Sequence, residues 1–507
     1  MIPLLLALSC AGSSKGGDSA SETDGGETQT DGGGTTAGPL EVDVLVIGSG
    51  PAGLSAAWEA DQAGARVLVV ERDEKPGGAG HYARHLIGVG TRFQDEAGVV
   101  DNADQLMMEW PAISNGGSAT DPWVQALAND SDDVLHWLVD ELGGTFEGMM
   151  NDTSAGQTRR VHSIGFGTLG PVEGLVLAVG DLVWTSTEAT ALRFDPEDPS
   201  RVAGAFVRDL NTGEDLEVIA RSTVIATGGF ARDFDRVRDA RPELEGALLV
   251  YEAKPSSDGG GHALLEEAGA DFQNMENHGL YLNGTYDPRT GLGEEGVLLG
   301  QLMFSVIADL EGNRVGDESQ VLLFSQVDLL AEAPDKRLFA VFAESDFNAL
   351  ALTSMADSFG LGDGTTLTPS ELMRLGGAVR ATDIDGVRTL TPIDADGLQA
   401  TLNRYGELAA TGVDSDFGKQ GTALRTVLYP LVFVELAAGS AKSFGGARLD
   451  EQARVLDADG AVIPGLYAAG EAAGMLGTPA TGQGFGGSVT ACYLTGRVAG
   501  RSAAAAE

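Results

Sequence analysis

The apolar positions of this chain fall into short β-branched runs and longer helical stripes. Residues 41–71 read EVDVLVIGSGPAGLSAAWEADQAGARVLVVE. Val42, Val44, Val46 and Ile47 make the kind of run that fills a buried parallel strand. The turn Gly48-Ser49-Gly50-Pro51-Ala52-Gly53 follows, then an alanine-rich helix closed by Gly64, then a second strand at 67–70 that ends in Glu71. Helical periodicity returns over 121–142, where Val134, Leu138 and Leu142 share a face. Ser131 is the expected N-cap there, and Gly143-Gly144 the stop. His136 and Trp137 on that helix read as packing residues. Strands are expected at 202–207 and 217–225, about the polar turn Asn211-Thr212-Gly213, the second running into Ala226-Thr227-Gly228-Gly229-Phe230.

The spacing in the first unit has a chemical reason. Gly48 permits the turn, Gly50 lets backbone approach a diphosphate, and Gly53 lets the helix pack on the strand. The helix N-terminus offers unpaired N–H groups and a positive dipole end to phosphate, while Glu71 stands where a carboxylate accepts from an adenosine ribose. Strand, glycine turn, helix, strand and acid together predict dinucleotide binding. No second unit of this kind appears, so no separate nicotinamide domain is expected.

Composition narrows the partners. The 507 residues carry a formal charge of −43, which disfavours nucleic acid. Two cysteines cannot form a disulfide framework or a thiolate zinc site, and no metal site is expected. Residues 1–10, MIPLLLALSC, resemble a bacterial lipoprotein signal that would make Cys10 the lipidated residue. Residues 11–40 are mostly Gly, Ser, Thr, Asp and Glu without an aromatic, the composition of a disordered tether reaching on the order of 30 Å. The expected location is therefore exported and lipid-anchored, with Cys10 as the sole contact with the membrane.

Residues 226–230 (ATGGF) resemble a segment of the fumarate reductase/succinate dehydrogenase-type flavoproteins, a group that includes 3-ketosteroid dehydrogenases and urocanate reductases. Residues 71–78 (ERDEKPGG), 312–318 (GNRVGDE), 463–471 (IPGLYAAGE) and the glycine-rich stretch 484–500 resemble further motifs of that family in the same order. The resemblance implies an α/β fold: a Rossmann-like FAD domain of the glutathione-reductase type, discontinuous over 41–275 and 441–507, with an α+β cap inserted at 276–440. It implies FAD with its diphosphate on Gly48, Ser49, Gly50, Pro51, Ala52 and Gly53, its ribose on Glu71 beside Arg72, its ring along Gly77, Gly78 and Ala79, and its adenine against Ala189. Thr227, Gly228, Gly470 and Glu471 would complete the cradle, and amides near Ser488 and Val489 would face the N1/O2 edge of the ring. The implied reaction is hydride transfer between flavin N5 and a C–C bond next to an electron-withdrawing group, with a small organic substrate and an unidentified electron partner.

The catalytic positions depart from the family. Leu322 stands where fumarate reductases place their proton-donating arginine, and Gln483 or Gly484 where a second arginine grips carboxylate. The tyrosines of the steroid enzymes fall on Leu322 and Gly482. A dicarboxylate needs cationic clamps to offset its desolvation, so fumarate is not the expected substrate. The remaining candidates are His278 with Tyr281, Lys442 and Arg314, against the plainer readings of a core histidine, a surface lysine and an Arg314–Glu318 pair. His81 lies two residues beyond the place of the family's flavin-linked histidine, so the FAD is expected to be non-covalent. A flavin-binding electron relay without turnover is the alternative.

Overall fold

In a computed structural model, residues 38–83, 85–113, 118–119, 121–149, 158–166, 170–320, 326–474 and 487–506 are described. Cys10, Leu322, Gly482, Gln483 and Gly484 lie outside them. The β-branched run becomes the strand Leu40–Ile47, at the centre of an eight-stranded sheet. It pairs in parallel with Val67–Val70 on one side, Val44 opposite Val67, and with Asp215–Ile225 on the other, Ile47 opposite Ile225. Val462–Ala468 and Val183–Trp184 extend the parallel set. Thr187–Phe194 and Val202–Asp209 form an antiparallel arm attached to Asp215–Ile225. The inner ends of these strands are apolar, as at 44–47 and 67–70, and Val44, Leu45, Val46 and Val69 are fully buried.

Helix Pro51–Gln62 lies against the final helix, Gly487–Ala505. Small residues set that spacing: a methyl group on Gly496 would sit 2.2 Å from the Ala52 carbonyl oxygen, and one on Gly500 2.2 Å from that of Ala56. The periodic stripe at 121–142 is one continuous helix, Pro122–Asp140. Asp121, not Ser131, caps it, accepting from the Trp123 N–H at 2.8 Å. Ser131 is buried mid-helix because its hydroxyl has a distant partner, the Val89 N–H, 3.1 Å away. Trp137 packs between Trp58 and Tyr493, with ring centroids 6.4 and 6.3 Å away.

Residues 39–507 form one compact unit whose apolar residues fall into separate clusters. The largest belongs to the eight-stranded sheet. Another is built on a five-stranded sheet ordered Leu249–Tyr251, Ala437–Ser443, His278–Tyr286, Gly296–Leu299, Leu352–Ser354. Strands from both flanks of the 276–440 stretch thus enter one sheet. A third cluster lies under the sheet of Val306–Ala308, Phe339–Ala343, Leu431–Glu435 and Val379–Ala381.

Candidate functional site

Gly48 takes a left-handed φ of +99°, and its N–H donates to the Val70 carbonyl at 2.8 Å. A methyl there would lie 2.5 Å from the Ala226 carbonyl oxygen, and one on Gly53 1.9 Å from that of Gly48, so both glycines are required by the protein's own backbone. Gly50 differs. Its backbone is extended, and a methyl on it would meet no atom within 4 Å. The helix that begins at Pro51 has neither a side-chain cap nor an acidic residue in its first turn, so its positive end faces the opening uncompensated. That is a cradle for an anion, open on the Gly50 side.

The second wall starts at Glu71, after the Val67–Val70 strand. Its Oε2 accepts from the Ser49 N–H at 2.8 Å and the Ser49 hydroxyl at 2.6 Å, and its Oε1 from the Asp73 N–H at 2.9 Å. Arg72 donates to Asp258 at 2.6 Å, with Glu188 at 3.5 Å, clasping segments far apart in sequence. Gly77, φ +110°, donates to the Ser49 carbonyl at 2.9 Å. A methyl on Gly77 would sit 2.3 Å from the His81 ring, which bonds the Pro76 carbonyl through Nε2 at 2.8 Å and is exposed.

The third wall comes from the far end of the chain. Thr490 Oγ1 accepts from the Ile87 N–H at 2.9 Å and Thr495 Oγ1 from the Gly470 N–H at 3.1 Å, which fixes the start of helix Gly487–Ala505. Together the walls border one open cleft. Every cofactor residue expected from sequence lines it except Gly53 and Gly77, which lie just behind the surface and shape it. The Thr227 hydroxyl on this wall has no hydrogen-bond partner among the described residues. Open backbone at Gly50, an uncapped helix start and a spare hydroxyl fit a diphosphate-containing nucleotide.

Charge gathers at one end of the cleft. Glu471 and Cys492 line it. Burial pushes the Glu471 carboxyl up to about 7, against the opposing pull of the Lys442 charge and the Gly229 N–H. Burial lowers the Lys442 ammonium, with Glu471 working the other way. Burial, reinforced by Glu471, pushes the Cys492 thiol up to about 12. Gly229 makes the junction possible: a methyl on it would lie 2.2 Å from Ser443 Oγ and 2.9 Å from Glu471 Oε2.

The catalytic candidates separate. Lys442 is registered opposite Gly279 and Tyr281 opposite Gly439, which puts both side chains on one face of the five-stranded sheet, though neither lines the cleft. His278 is registered opposite Ser443 and takes the other face, its ring edge-on to Phe230 at 5.0 Å. Burial holds it at about 4, and it does not line the cleft. Arg314 does not line the cleft either. It pairs with Glu318 at 2.8 Å and Asp414 at 2.8 Å, flanked by Tyr405 and Phe417, while Lys419 completes the network on Glu318 at 3.0 Å. Sequence reasoning missed Asp258, Glu252 and the cleft position of Cys492, which depend on contacts with no local signal.

The family profile described as "FAD binding domain" matches residues 43–486. The chain is 27 % identical over 468 residues to a fumarate reductase (cytochrome) of Shewanella frigidimarina, covering 91 % of this chain and 77 % of the relative. It is 26 % identical over 486 residues to a vinyl phenol reductase of Lactiplantibacillus plantarum, covering 91 % and 96 %. In structure it resembles a 3-ketosteroid Δ1-dehydrogenase from Sterolibacterium denitrificans, with a TM-score of 0.73 at 16 % identity, covering 92 % and 100 %. With the nucleotide cleft, these findings show that the chain belongs to the FAD-binding-domain family of the fumarate reductase/succinate dehydrogenase type and is an FAD-dependent oxidoreductase.

Proposed function

We propose that this protein transfers a hydride between flavin N5 and a carbon of a C–C bond next to an electron-withdrawing group, on a small organic substrate other than fumarate. The observation that carries the reading is the cleft lined by the cofactor residues, with Glu471 on its wall and Lys442, on the five-stranded sheet, within electrostatic reach of that carboxyl. The Gly48–Gly50 turn and the start of helix Pro51–Gln62 would hold the diphosphate, and Glu71 the ribose. Gly78, Ala79, Ser488 and Val489 would border the ring. FAD supplies a ring that takes up or gives a hydride.

The protein's own contribution is orientation and charge. Amides at the start of helix Gly487–Ala505 put positive dipole at the cleft. Lys442 offers one cation from the sheet face, enough for a carbonyl or a single carboxylate and short of the paired clamps a dicarboxylate needs. Residues 276–440 would act as the cap over that face. Residues 1–40 would carry the protein out of the cytoplasm and hold it by a lipid on Cys10; among the described residues no helix is long and apolar enough to cross a membrane.

The test is to reduce the FAD-loaded protein without oxygen and mix it with a panel of enones, enoates, sterol enones and fumarate. Reoxidation by a panel member other than fumarate is expected. Reoxidation by one-electron carriers alone would favour the relay, the reading suggested by Leu322 and Gly482.

A further inference from the structure

The five-stranded sheet carries a carboxyl that none of its own strands supplies. Glu252 follows the Leu249–Tyr251 strand and is 8 % exposed. Its side chain lies in a slot left by glycines on three neighbouring strands. A methyl on Gly439 would be 1.9 Å from Glu252 Oε1, one on Gly284 2.8 Å from the same oxygen, and one on Gly296 3.2 Å from Cγ. Oε1 has no hydrogen-bond partner among the described residues. The carboxyl therefore occupies the place of a side chain at Gly439, and Gly439 stands directly opposite Tyr281. Side chains at opposed positions of an antiparallel pair are immediate neighbours.

The Gly296–Leu299 and Ala437–Ser443 strands present glycine to Glu252, with Lys442 farther along the latter on the same face. Beside its backbone, Arg232 pairs with Glu295 and donates to the Ala253 carbonyl at 3.1 Å. One face thus carries Glu252, Tyr281 and Lys442, and the Lys442 charge acts on Glu471, which lines the cleft.

We propose that Glu252 is a positioning residue and proton store behind Tyr281, and that Tyr281 is the acid or base that meets the substrate carbon. The inference rests on the hydride-transfer reading above. In the reducing direction the β carbon would gain a hydride, with its electron pair, which bound reduced FAD would supply. The π pair of the C=C bond forms the new C–H bond at the α carbon as the Tyr281 O–H breaks. The tyrosinate takes the proton of the Glu252 carboxyl, and water restores it. Oxidation runs these transfers backwards. The direction is favourable: burial, helped by Glu252, holds the Tyr281 hydroxyl far above its usual range, while burial pushes Glu252 up to about 8.

The experiment compares FAD-loaded wild-type, Glu252→Gln, Glu252→Asp and Tyr281→Phe proteins, each checked for FAD content. Infrared titration should show a protonated-carboxyl band that disappears as pH rises past about 8, is missing in Glu252→Gln and is displaced in Tyr281→Phe. No such band at neutral pH, or one that Tyr281→Phe leaves in place, overturns the inference. With a reactive substrate, Tyr281→Phe should lower kcat by about a hundredfold or more. Glu252→Gln should lower it about tenfold with KM kept and the pH profile changed, and Glu252→Asp should recover part of the loss. Unchanged kcat in Tyr281→Phe also overturns it. A wild-type protein that reacts with no substrate counts against the hydride reading, and the infrared result alone then decides the pair.

Discussion

Glu71 and Ser49 are joined twice: one carboxylate oxygen of Glu71 accepts from both the backbone N–H and the hydroxyl of Ser49, at 2.8 and 2.6 Å. The acid that ends the second strand thereby braces the turn that follows the first. Ser49→Ala removes one of these bonds and should weaken FAD binding by less than about tenfold. Glu71→Ala removes both, along with the carboxylate proposed to take the ribose, and should weaken it by about a hundredfold. Fluorescence titration of apoprotein with FAD measures each. Equal affinity in wild-type and Glu71→Ala would remove Glu71 from the site.

Gly50 and Gly53 make opposite predictions from the same motif. A methyl at Gly50 meets no atom within 4 Å, so Gly50→Val should leave the melting temperature of the apoprotein within a few degrees and abolish FAD binding. A methyl at Gly53 strikes the Gly48 carbonyl at 1.9 Å. Gly53→Ala should therefore destabilise the apoprotein itself, by roughly 1–3 kcal/mol. Calorimetry with and without FAD separates the two.

Buried titratable groups set the pH window of stability. His162, His262 and His278 are each held at about 4 by burial. A depressed histidine contributes stability that is present above its unfolded value near 6.5 and is lost as pH falls through 4. Glu252 and Glu471 are raised to about 8 and 7, so they bind more protons folded than unfolded. Their contribution is complete below about 4.5 and declines as pH rises through 7 and 8. The apoprotein should melt highest in a window near pH 6–7. Glu252→Gln should flatten the loss between about pH 6 and 8 and steepen the acid loss between about pH 6 and 4.5. His278→Asn should ease the acid loss and leave flavin reduction within about tenfold.

Cys492 offers a probe of the cleft. It is the one cysteine among the described residues, and it lines the wall shared with Glu471. Burial keeps it as the thiol, so maleimide labelling should be slow in the FAD-loaded protein and at least about tenfold faster in apoprotein. Equal rates would place the cofactor elsewhere.

The FAD cradle was legible in the sequence because its first half is local. Gly48 to Glu71 lie within one strand–helix–strand unit, and each residue type answers a demand of its neighbours. Arg314 and Glu318, four apart, were legible as a pair for the same reason. Ser131 misled because its hydroxyl serves an amide 42 positions away. Arg72–Asp258 spans 186 positions, and the Glu252 slot needs glycines on three strands to coincide. Such contacts come from the pairing of distant segments, which periodicity does not encode. Glycine inside the strand at Gly284, Gly296 and Gly439 was the one available hint of a close approach.

The most direct measurement is the flavin content of the purified protein before and after acid precipitation. About one FAD per chain should enter the supernatant, leaving none on the pellet, and Gly50→Val protein prepared in parallel should yield none. A wild-type chain that carries no flavin, and whose apoprotein takes up none from solution, would contradict the account.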